Sequence, residues 1–138
     1  MRKSAPLHLR LAVCAAVCVV SVLAQNPDTP PDKPFETVHL INLPTAGDEK
    51  MMLAALVEIN AAIGKAGCPK CSYHLYKVYG AQAGSYNYLW TSSWPSGSVY
   101  TKVHNSPEYQ AAVQKHQDIE KIQATQVYNR YVEVTPGK

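Results

Sequence analysis

Two periodicities alternate along this chain, and their order restricts the fold more than any single motif does. Residues 35–43 (FETVHLINL) place β-branched and apolar side chains in strand alternation, and residues 44–47 break the run. Residues 49–65 then repeat Met52, Leu56, Ile59 and Ile63 at helical spacing, with Asp48 placed to cap the start and Gly64 and Gly67 to stop it. Residues 72–82 (SYHLYKVYGAQ) and 86–94 (YNYLWTSSW) return to aromatic strand chemistry, and residues 83–85 between them form a hairpin loop. Pro95 to Gly97 turns the chain into a broken helical region, a short piece over 98–104 and a longer one from Pro107 with Ser106 as its cap. A last strand covers 126–135 (QVYNRYVEVT). The order is βαββαβ, which predicts an α+β domain over residues 35–135, with a four-stranded antiparallel sheet and two helices on one face.

Before this domain the chain reads differently. Residues 1–10 carry Arg2, Lys3 and Arg10, residues 11–24 (LAVCAAVCVVSVLA) are apolar throughout, and Val22 and Ala24 are small side chains ahead of Gln25. That pattern predicts a signal peptide over residues 1–24 and a secreted or periplasmic protein. The apolar run reaches only about 21 Å as a helix against a hydrocarbon core of about 30 Å, so no stable membrane insertion is expected after cleavage. Residues 25–34 (QNPDTPPDKP) form a proline-rich spacer, and residues 136–138 are a tail. The formal charge of +3 resides in the leader, which leaves ten basic against ten acidic side chains and no electrostatic footprint for nucleic acid.

The βαββαβ order is that of the ferredoxin-like split unit. Apolar side chains fall on both alternation sets of its strands: Val38, Leu40, Leu75 and Tyr131 on one, Ile41, Tyr76, Val78 and Val132 on the other. A solvated sheet face reads polar, so a second copy of the chain is expected to pack there as a twofold homodimer. Residues 94–113 (WPSGSVYTKVHNSPEYQAAV) place a tryptophan at the end of the third strand, a short helix, then Asn105, Ser106 and Pro107 before an alanine-containing helix. This resembles the dimeric α/β barrel superfamily, which includes antibiotic biosynthesis monooxygenases, stress-responsive barrel proteins and haem-degrading monooxygenases. The resemblance implies a pocket between sheet and helices in each subunit, and oxygenation of an apolar or aromatic substrate without a cofactor.

Candidate chemistry lies in several places. Tyr109, Ala112, Val113, His116 and Ile119 fall on one helical stripe, which turns His116 toward the sheet as a candidate acid or base. Asn42 matches the first-strand asparagine of the haem-degrading relatives, but Val103 and Val113 stand where their tryptophan and histidine would be, so haem is disfavoured. Tyr86, Tyr88, Trp90 and Trp94 on the third strand and Tyr73 and Tyr79 on the second, with His104 and Tyr109, are the expected pocket lining or else packing and interface residues. Cys68 and Cys71 (CPKC) follow a helix rather than open one, which points to a local disulfide over a redox pair. Zinc on Cys68, Cys71 and His74 lacks a fourth ligand and is disfavoured too, so no metal is expected. A small-molecule-binding barrel protein with monooxygenase-like activity is the leading reading; a non-catalytic domain that uses its aromatic faces for assembly is the alternative.

Overall fold

Antiparallel pairing of strands β1 (Phe35–Ile41) and β3 (Tyr88–Trp94) runs through the centre of the molecule, matching Phe35 with Trp94, Thr37 with Ser92, His39 with Trp90 and Ile41 with Tyr88. Strand β2 (His74–Lys77) lies outside β3 and strand β4 (Val127–Tyr131) outside β1, so the antiparallel sheet runs β2-β3-β1-β4. The computed structural model describes residues 29–80, 85–123 and 126–135. The expected leader, the tail and most of the hairpin loop lie outside them. Among the described residues no helix is long and apolar enough to cross a membrane.

Helix α1 (Ala46–Lys65) buries Met52, Ala55, Leu56, Ile59, Ala62 and Ile63 against one face of the sheet. Its cap is Thr45 rather than Asp48. The Thr45 hydroxyl accepts from the Asp48 amide, and the Asp48 carboxylate accepts from the Thr45 amide, a reciprocal capping box. At the other end Gly67, at φ +101°, lets the Cys68 amide reach the Ile63 carbonyl and its own amide reach Gly64. The chain then turns tightly, closed by the Cys68–Cys71 disulfide and a bond from the Cys71 amide to the Cys68 carbonyl.

The second helical region has three pieces, not two: α2 (Gly97–His104), α3 (Pro107–Lys115) and α4 (Asp118–Gln123). Ser106 caps α3 and Pro107 opens it, as the sequence indicates. The break at His116 and Gln117 is a tight turn, with the His116 amide on Val113 and the Ile119 amide on His116, and it drops Ile119 into the core. Strands β2 and β4 are shorter than the apolar runs suggest, because only their inner residues find ladder partners.

The faces sort differently from the sequence expectation in one respect. Leu75 lies opposite Trp90 and so faces the helices, as Ile41 does, whereas Tyr76 shares the open face with Val38, Leu40, Leu89, Val127 and Tyr131. That face carries these apolar side chains among Glu36, His74, Thr91, Ser93 and Asn129 and is uncovered within one chain, with Tyr76 53% and Tyr131 50% exposed.

The disulfide closes a loop of four residues, so the chain-entropy model limits its contribution to about 2 kcal/mol. A Cys68→Ala, Cys71→Ala variant is expected to lose no more than that in urea unfolding and to keep its far-ultraviolet spectrum. Alkylation of both thiols in the unreduced native protein would show instead that the bridge is absent.

Candidate functional site

On the helix-facing side of the sheet the side chains are mainly aromatic, and two imidazoles lie among them. Strand alternation delivers His39 from β1, Trp90 and Trp94 from β3, and Tyr128 and Arg130 from β4, since antiparallel register keeps these positions on one face. Tyr73 enters from the turn ahead of β2, Tyr100 and His104 from α2, and Tyr109 from α3. Tyr73 is set by a two-way clamp: Asn60 on α1 donates to its carbonyl at 2.9 Å and accepts from its amide at 2.7 Å. Below these rings a buried hydroxyl chain joins Thr37 to Ser92 at 2.7 Å and the Trp94 indole to Ser92 at 2.5 Å.

The rings contact one another throughout. His39 stacks on Trp90 with centroids 4.4 Å apart and interplanar angle 21°, and Tyr128 lies 4.6 Å from its other side. His104 stacks on Tyr100 at 3.7 Å, with Tyr109 at 4.4 Å and Trp94 at 5.1 Å. Tyr73 sits between the two groups, 5.0 Å from Trp90 and 6.2 Å from Trp94. The Arg130 guanidinium lies 5.3 Å from the Tyr128 ring and 5.4 Å from the Tyr100 ring, and its Nε donates to the Tyr128 hydroxyl at 2.9 Å.

Hydrogen bonding assigns the imidazole protons. His104 Nδ1 faces the Tyr100 carbonyl at 2.8 Å, an acceptor only, so Nδ1 carries the proton and Nε2 presents its lone pair to the Tyr73 hydroxyl at 3.3 Å. His39 Nδ1 donates to Gln126 Oε1 at 2.7 Å, so its Nε2 is also a lone pair. Both rings are neutral at physiological pH. Burial lowers the His39 pKa to about 4 against a raising bond from Gln126, and His104 lowers it further. Burial likewise brings His104 to about 4, with the Arg130 charge adding to the effect. Burial also pushes the Tyr109 hydroxyl up to about 12 and Tyr73 well above the ordinary range, so these two hydroxyls remain protonated.

Two polar atoms of this group bear on a ligand. Trp90 Nε1, on a residue 2% exposed, is buried without a hydrogen-bond partner among the described residues, and His39 Nε2 carries the lone pair of the neutral ring. They belong to stacked rings, one a donor and the other an acceptor. Such atoms suit an oxygen-bearing flat molecule that accepts from the indole and donates to the imidazole.

The remaining sequence candidates occupy other places. Asn42 is exposed at the end of β1, where it donates to the Ser85 carbonyl at 2.6 Å and accepts from the Asn87 amide at 3.1 Å. Tyr88 is buried and ties the sheet to α1 through Glu49 at 2.6 Å, and Tyr86 lies half-buried ahead of β3. His116 turns away from the sheet because α3 ends at Lys115 and the helical stripe ends with it. Its Nε2 lies 3.2 Å from Glu58, which Lys115 also engages at 2.7 Å, so the pair ties α1 to α3. Val103 is fully buried in the core. The disulfide removes both thiolates from the Cys68, Cys71, His74 set. The structure brings Trp90, Trp94, His104 and Tyr109 together with Tyr73; His39, Tyr100, Tyr128 and Arg130 were missed. The parity of His39 with Phe35 and Ile41 on β1 is the signal that identifies it.

Near the disulfide the Trp94 end of the cluster meets an open apolar groove of about 580 Å³, lined by Pro34, Cys68, Pro69, Cys71, Trp94 and Pro95 among others. No family model matches the chain, and no curated protein matches it. Solved structures do. A dimeric ferredoxin-like protein of unknown function from Thermobifida fusca is 16% identical with a TM-score of 0.54, over 74% of this chain and 92% of its own. A DABB family protein with a ferredoxin-like fold from Mesorhizobium loti is 12% identical with a TM-score of 0.53, over 74% and 98%. A protein from Caulobacter crescentus described as a "putative antibiotic biosynthesis monooxygenase" is 15% identical with a TM-score of 0.53, over 75% and 92%. The chain therefore has a ferredoxin-like fold of the kind these proteins share.

The lowered imidazole pKa values give a pH dependence. Each histidine titrates near 6.5 when unfolded and near 4 when folded, so between these values the unfolded chain binds protons that the folded chain does not. Stability is fullest above pH 6.5 and falls as pH drops through the window, by up to roughly 3 kcal/mol for each ring. Urea unfolding across pH should show this decline, flattened in a His39→Gln, His104→Gln variant. Constant wild-type stability down to about pH 4.5 would contradict the two neutral rings.

Proposed function

We propose that this protein is an exported homodimer that binds a small aromatic molecule bearing a hydroxyl or carbonyl oxygen, between its sheet and its helices. The observation that carries this reading is the buried, unpartnered Trp90 Nε1, on an indole stacked against the His39 ring whose Nε2 is a lone pair. Leaving a buried donor or acceptor unsatisfied costs about 1 to 3 kcal/mol, a cost a ligand removes when it supplies the missing partner. Oxygenation is the reaction class in keeping with the neighbour described as a monooxygenase. In that chemistry, with dioxygen as the co-reactant, His39 Nε2 accepts a hydrogen bond from the ligand hydroxyl and the indole N–H donates to the ligand oxygen, which orients the ring.

The second reading, a non-catalytic assembly domain, draws on the close filling of the interior: Tyr73, Trp90 and Trp94 are each at most 5% exposed. Ligand binding separates the two. Titration calorimetry with a panel of hydroxylated bicyclic and tricyclic arenes is expected to find a binder whose affinity falls at least about tenfold in His39→Phe. A panel without binders, or a His39→Phe variant that binds equally well, would favour assembly.

Homodimerisation through the sheet is supported by the apolar side chains of the open face and by the neighbour described as dimeric. Export rests on the leader pattern, and the spacer then stands between the cleavage point and the domain. One sample tests both. The protein recovered outside the cytoplasm should begin at or near Gln25 by intact mass and scatter light as a dimer, while a Tyr76→Glu, Tyr131→Glu variant should scatter as a monomer. A retained leader would contradict export; a monomeric wild type at micromolar concentration would contradict the sheet interface.

A further inference from the structure

The proline-rich segment is not free where the described chain begins. Pro30 and Pro31 are half-buried at the start of α2, where the Gly97 amide donates to the Pro31 carbonyl at 2.7 Å. Gly97 is the first residue of that helix, so this bond satisfies one of the amides that a helix leaves open at its N-terminus. A side chain at this position is excluded: a Cβ on Gly97 would lie 2.6 Å from the Pro30 carbonyl oxygen and 2.8 Å from that of Pro31. At its other end the segment is anchored by Phe35, 3% exposed and 5.8 Å from the Tyr100 ring. Asp32, Lys33 and Pro34 between the two anchors are exposed.

What the segment spans gives it a role. Pro34, Ser93 and Trp94 line the groove of about 580 Å³ beside the disulfide, and the same three residues line a smaller groove of about 180 Å³ toward Glu36 and Tyr131. Pro34 therefore stands in the wall that both grooves share, next to an indole that is 1% exposed. We infer that residues 29–34 form a hinged cover over Trp94, latched by the Gly97 amide, and that its release joins the two grooves and opens the Trp94 end of the aromatic cluster to solvent and small molecules. Proline chemistry suits a cover of this kind. The segment is extended before it docks, so closing it orders little additional chain, and one bond with two half-buried rings is enough to hold it yet few enough contacts to lose. This inference is independent of the ligand reading, since it concerns access to Trp94 alone.

The experiment uses the fluorescence of the only two tryptophans, Trp90 and Trp94. Acrylamide quenching is measured on the chain beginning at Gln25, on the same chain with Gly97→Ala, and on a chain beginning at Lys33, each checked by circular dichroism. Both altered chains are expected to keep the folded spectrum and to show quenching constants raised about twofold. If Gly97→Ala does not fold, the shortened chain decides alone. Quenching unchanged in a folded shortened chain would overturn the proposal, and so would unfolding of the shortened chain, since a cover is dispensable to the fold it covers.

Discussion

The register of β1 against β3 is the constraint on which the rest of the molecule depends. It sets His39 on Trp90 and Phe35 beside Trp94, and it aligns Thr37 with Ser92 so that two hydroxyls satisfy each other inside the core. A slip of β1 by one residue against β3 would turn Phe35, Thr37 and His39 to the open side and part them from Trp94, Ser92 and Trp90. The two outer strands depend on this central pair for their own alignment, and β4 brings Tyr128 and Arg130 to the same face only because β1 is in register. Helix α1 adds the second layer, and its Asn60 clamp on Tyr73 fastens the sheet's far edge to the helix.

Local chemistry made much of this legible in the sequence. Alternation marked β1 and β3, the spacing of Met52, Leu56, Ile59 and Ile63 marked α1, and the Ser106, Pro107 pair marked the start of α3. Non-local pairing settled the rest. Nothing within residues 72–82 says that only four of the described ones find ladder partners, and nothing near Asn60 says that its amide will hold a backbone thirteen residues away. His116 misled because a helical stripe predicts direction only while the helix continues, and α3 ends one residue earlier. His39 was passed over although its parity with Phe35 and Ile41 places it inward, since a polar residue in an apolar alternation invites assignment to the solvent side. The apolar side chains of the open face were legible, but its membership was mixed, because the parity of Leu75 and Tyr76 depends on which β3 residue each one meets.

Core and candidate site share the same residues here. The rings that exclude water from the interior also lower the two imidazoles to about pKa 4, and that same dryness leaves the Trp90 N–H without a partner. Stability and binding capacity are coupled through this arrangement: below the ordinary histidine range the neutral rings become a liability, while at neutral pH the His39 lone pair remains available to a donor. The Trp94 end faces different neighbours, the disulfide turn and the proline segment, so the cluster has one end defined by imidazole chemistry and another by apolar walls.

The protonation of His39 and His104 tests this picture most directly, because the electrostatics of the cluster and its capacity to accept a hydrogen bond from a ligand both require neutral rings with Nε2 unprotonated. Long-range proton–nitrogen correlation spectra of ring-labelled protein at neutral pH report each nitrogen separately. The structure predicts that both rings show a protonated Nδ1 and a bare Nε2, and that this pattern persists down to about pH 5, because both folded-state values lie near 4. Two protonated nitrogens on either ring at neutral pH, or the opposite tautomer at His39, would contradict it.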